Sequence, residues 1–190
     1  LSTLAAPEVS GTGGRNVPGG TIGGIVACNL AGPRRIKGGA ARDHFLGFEA
    51  VSGRGEIFKS GGRVVKNVTG YDLSKLMAGS WGTLAVMTQV TLKVLPRPEK
   101  TRTVLLFGVD AGRAGEALTA ALLSPHEVSG AAWLPRSLAA SSGVALVSGQ
   151  GASVAAVRVE GPAPSVAYRC RVLREELGAL GSTEELHSAN

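Results

Sequence analysis

Glycines and paired charges, rather than histidines or cysteines, carry the chemistry legible in this chain. The stretch Gly19 to Phe48 reads GGTIGGIVACNLAGPRRIKGGAARDHFLGF, a glycine-dense turn followed by a short apolar run, two adjacent arginines and an Arg-Asp pair. Glycine has no Cβ to hold a ligand away and can adopt positive φ, so such a turn lets backbone amides approach a phosphate closely. Thr21 is placed to cap a helix from about Ile22 to Leu30, where unpaired amides and the helix dipole favour an anion by ~0.3 to 1 kcal/mol at exposed sites. Gly32-Pro33 ends that run. Arg34 and Arg35 then either reach an anion or stand solvated on a loop. Arg42 and Asp43 either pair with each other to hold the loop, or Arg42 faces the ligand and Asp43 orients it. His44 is a tempting general base, but it sits beside a strand with no partner identifiable from sequence.

Other reactive residues lead nowhere specific. Gly11, Gly13 and Gly14 invite comparison with a dinucleotide fingerprint, yet Asn16 occupies the place of the third glycine and no strand precedes the run. Leu1 to Pro18 therefore reads as a loop or lead-in. Cys28 and Cys170 lack metal-ligand spacing and are too few for a disulfide framework, so both read as small buried hydrophobes. His126 and His187 have no partners worth naming.

Composition narrows the classes. In 190 residues, 44% hydrophobic and 18% charged exclude general disorder and allow one sizeable core or two small ones. The net charge of +6 suits an anionic ligand or an acidic partner, but no block of like charge appears. Two Tyr, two Trp and four Phe make no ladder for stacking bases, so nucleic acid is not an expected partner. No apolar run approaches the ~20 residues that span a bilayer. The amino end lacks the charged head and apolar core of an export signal, and a reducing cytoplasm fits best.

The elements that must position the glycine stretch follow in order. Phe45 to Val51 reads as a strand, Gly53 to Gly55 as a tight turn and Glu56 to Lys59 as a returning strand. Tyr71 to Ala78 has helical spacing with Asp72 near its start, Gly79 to Gly82 forms a stop, and Thr83 to Leu95 is a long strand or a strand with a bulge. Composition changes after Pro96-Arg97-Pro98, which places a domain boundary there. Beyond it come strands at Thr101 to Val109, Gly130 to Leu134, Val144 to Val147 and Val154 to Glu160, with helices at Ala111 to Leu123 and Pro164 to Leu180. Val166, Cys170, Leu173 and Leu177 form the inner stripe of the last helix. A β-α-β-β-α order suits a ferredoxin-like half-sheet with helices on one face.

The ordered strings GGTIGGIVACNLAG, GGAARDHFLGFEAVSGRGEIFKSGG and VVKNVTGYDLSKLMAGSWGTLAVMTQVTLKVLP resemble the FAD-binding domain of the vanillyl-alcohol oxidase (PCMH) type. AGPRR and KNVTGYDLSKL are most similar to the smaller flavin-domain subunit of bacterial glycolate oxidase. The resemblance implies an α+β chain: residues 1–98 as the later part of the FAD-binding domain, and 99–190 as a partial ferredoxin-like cap on the substrate side. It implies FAD as cofactor, with Gly20, Thr21, Ile22, Gly23 and Gly24 along the flavin diphosphate or isoalloxazine. Arg42 and Asp43 follow the same wall, and Gly79, Ser80 and Gly82, with Val86 beyond, lie nearest the adenosine half. For Ser80 and Val86 close packing is the competing role. Where many members have Glu and Tyr, this chain has Trp81 and Gly38. Members also hold the diphosphate with another glycine-rich loop from a preceding subdomain, and nothing before Gly19 matches it.

The resemblance further implies oxidation of a 2-hydroxy acid such as glycolate, with hydride transfer to flavin and electrons passing on through partners. Those partners are a larger catalytic flavin subunit and an iron-sulfur subunit, and any membrane association runs through them. Arg34 or Arg35 neutralises the substrate carboxylate in this reading, and no residue is assigned as the catalytic base. The alternative is a flavin-free subunit that scaffolds the catalytic one.

Overall fold

The computed structural model describes residues 20–66 and 70–187, so the lead-in expected over Leu1 to Pro18, with its glycine run, lies outside them. In chain order the elements are α1 (Ile22–Cys28), α2 (Arg35–Gly38), α3 (Ala41–His44), β1 (Phe45–Ser52), β2 (Ile57–Gly61), α4 (Leu73–Met77) and β3 (Ala85–Leu92). There follow β4 (Lys100–Phe107), α5 (Ala111–Leu123), β5 (Gly130–Leu134), α6 (Arg136–Ala140), α7 (Ala145–Ser148), β6 (Val154–Gly161), α8 (Ala163–Leu177) and β7 (Ser182–His187). Two compact units result. One runs up to Gly32 and resumes from Gly39 to Pro96, and the other takes Pro33–Gly38 together with the chain from Arg97.

The first unit is built on an antiparallel sheet in the order β2-β1-β3. Its central strand buries Phe45, Phe48 and Ala50 against Val26 of α1 and Met77 of α4. Phe48 meets Phe58 edge-on at 5.6 Å between ring centroids and Phe45 at 5.8 Å, the spacing at which aromatic pairs attract. Ser52 and Gly55 make the expected hairpin: the Gly55 N–H donates to Ser52 O at 2.9 Å, with Gly55 at φ +79. The expected bulge is present too. Glu49 pairs with Gln89 but Ala50 with Met87, and the Thr88 hydroxyl left between them donates to Glu49 O at 3.2 Å.

In the second unit the order β4-α5-β5-β6-α8-β7 winds an antiparallel sheet ordered β5-β6-β4-β7. This is a complete βαββαβ unit rather than the half-sheet expected. The added strand, β7, pairs along β4 from Ser182 opposite Phe107 to His187 opposite Arg102. Successive residues of β4 serve opposite faces. Val104 and Leu106 join Val166, Cys170, Leu173 and Leu177 of α8 and the alanines of α5. Leu105 and Phe107 instead meet Ala139 of α6 and Val147 of α7. Two expectations are thereby corrected. Helices cover both faces, and Val144 to Val147 is helical instead of a strand. There Ser142 Oγ accepts the Val144 N–H at 3.2 Å, and Val147 and Gly149 close helical bonds to Val144 and Ala145.

Cys170 is fully buried, which pushes its thiol up to about 11, burial first and the Glu185 carboxylate second, against the pull of Arg102 and Arg169. Because the folded value lies above the ordinary 9.0, the stability it protects is whole below pH 9 and declines as pH rises from about 9 to about 11. Thiol-reactive dye at neutral pH is expected to leave Cys170 unlabelled until the chain is denatured; labelling in the native state would show that the α8 core opens. A second expectation concerns Gly47, where an added Cβ would lie 2.6 Å from Gly62 N and 3.0 Å from Gly61 C, both immovable backbone. Gly47→Ala should cost ~1 to 3 kcal/mol by overpacking, while Gly53→Ala, with open space around it, should change stability by less than ~1 kcal/mol. Urea unfolding of the two variants checks the contrast.

Candidate flavin-binding site

The site grows from the two ends of α1. At its start, the Thr21 hydroxyl accepts the Gly24 N–H at 3.0 Å, as a capping threonine should. Ile25 donates to Thr21 O at 3.0 Å, so the amides of Ile22 and Gly23 are the pair that helix geometry leaves over. Around Gly23 the closest atom to an added Cβ would be Thr21 Oγ1 at 3.9 Å, and around Gly82 there is nothing within 4 Å. Both glycines border open space into which a ligand can come up against the backbone.

At its other end, α1 is closed by residues from distant segments. Asn29 takes the left-handed conformation, φ 50, and its N–H turns back to Ile25 O and Val26 O. The Gly79 N–H donates to Val26 O at 3.2 Å and the Trp81 N–H to Ala27 O at 2.9 Å. Asn29 Oδ1 accepts the Arg42 N–H at 2.9 Å. Lys75 Nζ donates to the carbonyls of Arg42 and Phe45, tying α3 to α4. Within one unit, the GTIGG turn, the Arg42-Asp43 pair and the GSWG turn are thus joined through backbone groups.

Individual side chains have distinct surroundings. The Asp43 carboxylate accepts the Ala40 N–H at 2.7 Å, so it caps α3, while the Arg42 side chain is exposed. Ser80 Oγ is shielded from solvent and has no hydrogen-bond partner among the described residues, whereas its carbonyl accepts the Thr83 hydroxyl at 2.6 Å. Gly79, Trp81 and Gly82 all have positive φ, at 83, 57 and 75. Gly20, Thr21 and Ile22 are exposed, and Val86 projects from β3 with 67% of its surface open. His44 is held by its ring Nδ1 at 3.2 Å from Lys93 O.

Arg34 and Arg35 belong to the second unit. Arg34 grips Glu160 with two parallel contacts, Nε to Oε1 and NH2 to Oε2, each 2.7 Å. Arg35 is exposed. Sequence reasoning gave no partners to His126 and His187; Glu176 lies 3.4 Å from the first and Glu185 3.1 Å from the second. It also missed Asn29 and Lys75, although an Asn directly after an apolar helical run is the ordinary signal of a left-handed cap. A cavity of about 270 Å³ opens in the first unit among Asp43, Phe45, Ser60, Tyr71, Lys75 and Lys93, beside the glycine turns rather than on them. No group of three metal-ligating side chains occurs among the described residues, and no helix among them is long and apolar enough to cross a membrane.

Comparison with known proteins follows the same lines. The fold is the mixed helix-and-strand fold of the PCMH type: alkyldihydroxyacetonephosphate synthase superposes over 88% of this chain and 34% of its own, with a TM-score of 0.64 at 20% identity. In sequence, the chain is 56% identical over 78 residues to glycolate oxidase subunit GlcE of Escherichia coli, covering 41% of this chain and 22% of that protein. It is 44% identical over 85 residues to glycolate oxidase subunit GlcD of Bacillus subtilis, covering 45% and 18%. A D-lactate dehydrogenase of Archaeoglobus fulgidus is 44% identical over 77 residues. No family model matches. The chain thus spans about a fifth of the length of these curated relatives in the matched segments, and the resemblance to the flavin-domain glycolate oxidase subunits holds there.

The Asn29 hub yields a stability contrast. Asn29→Ala loses the acceptor for Arg42 and strains the left-handed backbone, and should cost ~2 kcal/mol or more. Asn29→Gly loses only the acceptor and should cost ~1 kcal/mol. Equal losses on thermal unfolding would assign the whole effect to the hydrogen bond.

Proposed function

We propose that the chain is an FAD-binding part of a 2-hydroxy acid oxidoreductase, a subunit of a glycolate oxidase or dehydrogenase type that oxidises glycolate to glyoxylate. The observation that carries the proposal is the union of the two glycine turns through α1, with amides at Ile22 and Gly23 and a Ser80 hydroxyl that have no partner among the described residues, and open space at Gly23 and Gly82. These groups fit a diphosphate-bearing cofactor, because such a ligand needs several donors and no side chains in its way. The similarity to glycolate oxidase subunits GlcE and GlcD supports this substrate class and a multi-subunit setting; the partners in this reading are a larger catalytic flavin subunit and an iron-sulfur subunit.

In this reading the protein's own residues bind and orient. The amides of Ile22 and Gly23 hold the diphosphate, with Gly20 and Gly24 giving it room, Thr21 fixes the start of α1 by accepting the Gly24 N–H, and Gly79, Ser80 and Gly82 line the adenosine half with Val86 beyond. Arg42 adds charge along the same wall, and Asp43 keeps the α3 turn that carries it. Bound FAD supplies the hydride acceptor for the α-carbon of the hydroxy acid. Residues 1–98 act as the later part of the FAD-binding domain and 99–190 as the substrate-side cap; Pro33–Gly38 groups with the second unit, and from there Arg34 or Arg35 neutralises the carboxylate.

Ser80 offers an unusual test, because a buried hydroxyl without a partner destabilises the free chain yet serves the ligand. Ser80→Ala should raise the melting temperature of the cofactor-free protein while weakening FAD binding up to roughly tenfold, as expected for one lost neutral hydrogen bond. Quenching of flavin fluorescence measures the second effect. Wild-type protein that neither quenches added FAD nor gains thermal stability from it would overturn the proposal and favour a scaffold role.

A further inference from the structure

Two guanidinium groups in the second unit converge on a single carboxylate. Arg34 holds both oxygens of Glu160, and Arg158 Nε lies 2.6 Å from Glu160 Oε1. The carboxylate is nearly enclosed, with 11% of its side chain exposed, whereas Arg34 and Arg158 keep 28% and 34%. One negative charge therefore faces two positive ones, and the Arg158 NH1 and NH2 groups have no partner among the described residues.

Strand register fixes where this excess charge points. On β6, Val157 and Val159 are buried in the core under α5 and α8, so Arg158 and Glu160, alternating with them, lie on the opposite face of the sheet. Thr103 of β4 is the cross-strand neighbour of Arg158, and Gly130 of β5 is its neighbour on the other side. Directly opposed residues carry their side chains within ~5 Å of each other. Gly130 has no side chain because the Pro33-Arg34 backbone lies on it: an added Cβ would be 3.2 Å from the Pro33 carbonyl. Ser129 clamps the Arg158 carbonyl with its N–H at 2.8 Å and its hydroxyl at 3.1 Å. Arg169, the other arginine near Glu160, is spent on the carbonyls of Ser165, His126 and Glu160.

We propose that Arg158, with Arg34 and the Thr103 hydroxyl, forms a seat for a small 2-hydroxy carboxylate on this sheet face, and that Glu160 is the positioning residue that holds the two guanidiniums in convergence. The substrate class rests on the function proposed above; the seat itself rests on the geometry of the second unit. A planar fork is suited to a carboxylate, and a neighbouring hydroxyl supplies a partner for the substrate's own hydroxyl. Arg35, exposed on α2, has no part in it.

Titration of the full chain with glycolate and with acetate, by calorimetry at low ionic strength, tests the seat. Glycolate should bind more tightly than acetate. Arg158→Gln should weaken glycolate roughly tenfold, as expected for a lost charge-assisted pair, and Arg158→Lys, which keeps charge without the fork, should fall between. Thr103→Val, which touches no ion pair, should erase the preference for glycolate over acetate, a change that a purely structural ion cluster would not produce. Arg171→Gln on the far face should alter neither. Absence of glycolate binding, or equal losses from Arg158→Gln and Arg171→Gln with an unchanged circular dichroism spectrum, would overturn the seat. FAD quenching in the same samples separates the two readings: protein that takes FAD but not glycolate refutes only this seat, and protein that takes glycolate but not FAD refutes only the flavin site.

Discussion

The first unit depends on how the carbonyls at the end of α1 are satisfied. A helix of seven residues is too short to persist alone, and the last four carbonyls of any helix have no partner within it. Here Asn29 and Leu30 turn back onto Ile25 O, and Gly79 and Trp81 supply amides to Val26 O and Ala27 O. Those donors exist only because the turn at Gly79 to Gly82 adopts left-handed backbone three times, once at Trp81, where a side chain makes that conformation cost about 1 to 2 kcal/mol. The turn is thereby tied to α1 before any ligand is considered. Segments more than fifty residues apart in sequence become one surface through main-chain bonds, so the side chains at the surface are left free for recognition.

The same economy explains why the site is rich in small residues. Buried Val26 and Met77 pin α1 and α4 to the central strand, while the outward side of α1 carries Gly23 and Gly24. A larger residue there would gain helix propensity and lose access to the amides. Ser80 follows the opposite logic to a core residue: a shielded hydroxyl with no partner among the described residues costs roughly 1 to 3 kcal/mol in the free chain.

Much of this was legible in the sequence because the signals were local. Thr21, Asp72 and Asp110 each cap the helix expected after them, and Gly55 makes the hairpin turn it announces. The apolar stripe of α8 turned inward as its spacing requires. Illegible parts were those decided by distant partners. β7 reads STEELH, a polar edge strand with one neighbour, whose alternation is blurred because only Leu186 is apolar. Val144 to Val147 has strand-like residues but pairs with neither edge of the β5-β6-β4-β7 sheet. Its apolar side chain at Val147 was instead drawn under Phe107 and Leu105. The role of Asn29 was hidden for a different reason: its left-handed cap is local, but its bond to Arg42 N appears only when α3 has been brought up against α1.

The arginines show where sequence reasoning and structure diverge most usefully. Adjacent in the chain, Arg34 and Arg35 look interchangeable as ligands for an anion. In the structure a single residue separates bidentate engagement from exposure, because Pro33 lies across Gly130 and directs Arg34 at Glu160. An arginine already paired to a carboxylate is ordinarily spent. It is not spent when a second arginine shares the same carboxylate, since one charge cannot neutralise two. Arg158 is therefore the residue that changes the meaning of Arg34. In the run Val157–Gly161, VRVEG, Arg158 stands between two valines and reads as an ordinary solvent-facing position of a half-buried strand. Alternation gives the face a residue takes, while its partners on that face come from the register of three strands and one crossing loop.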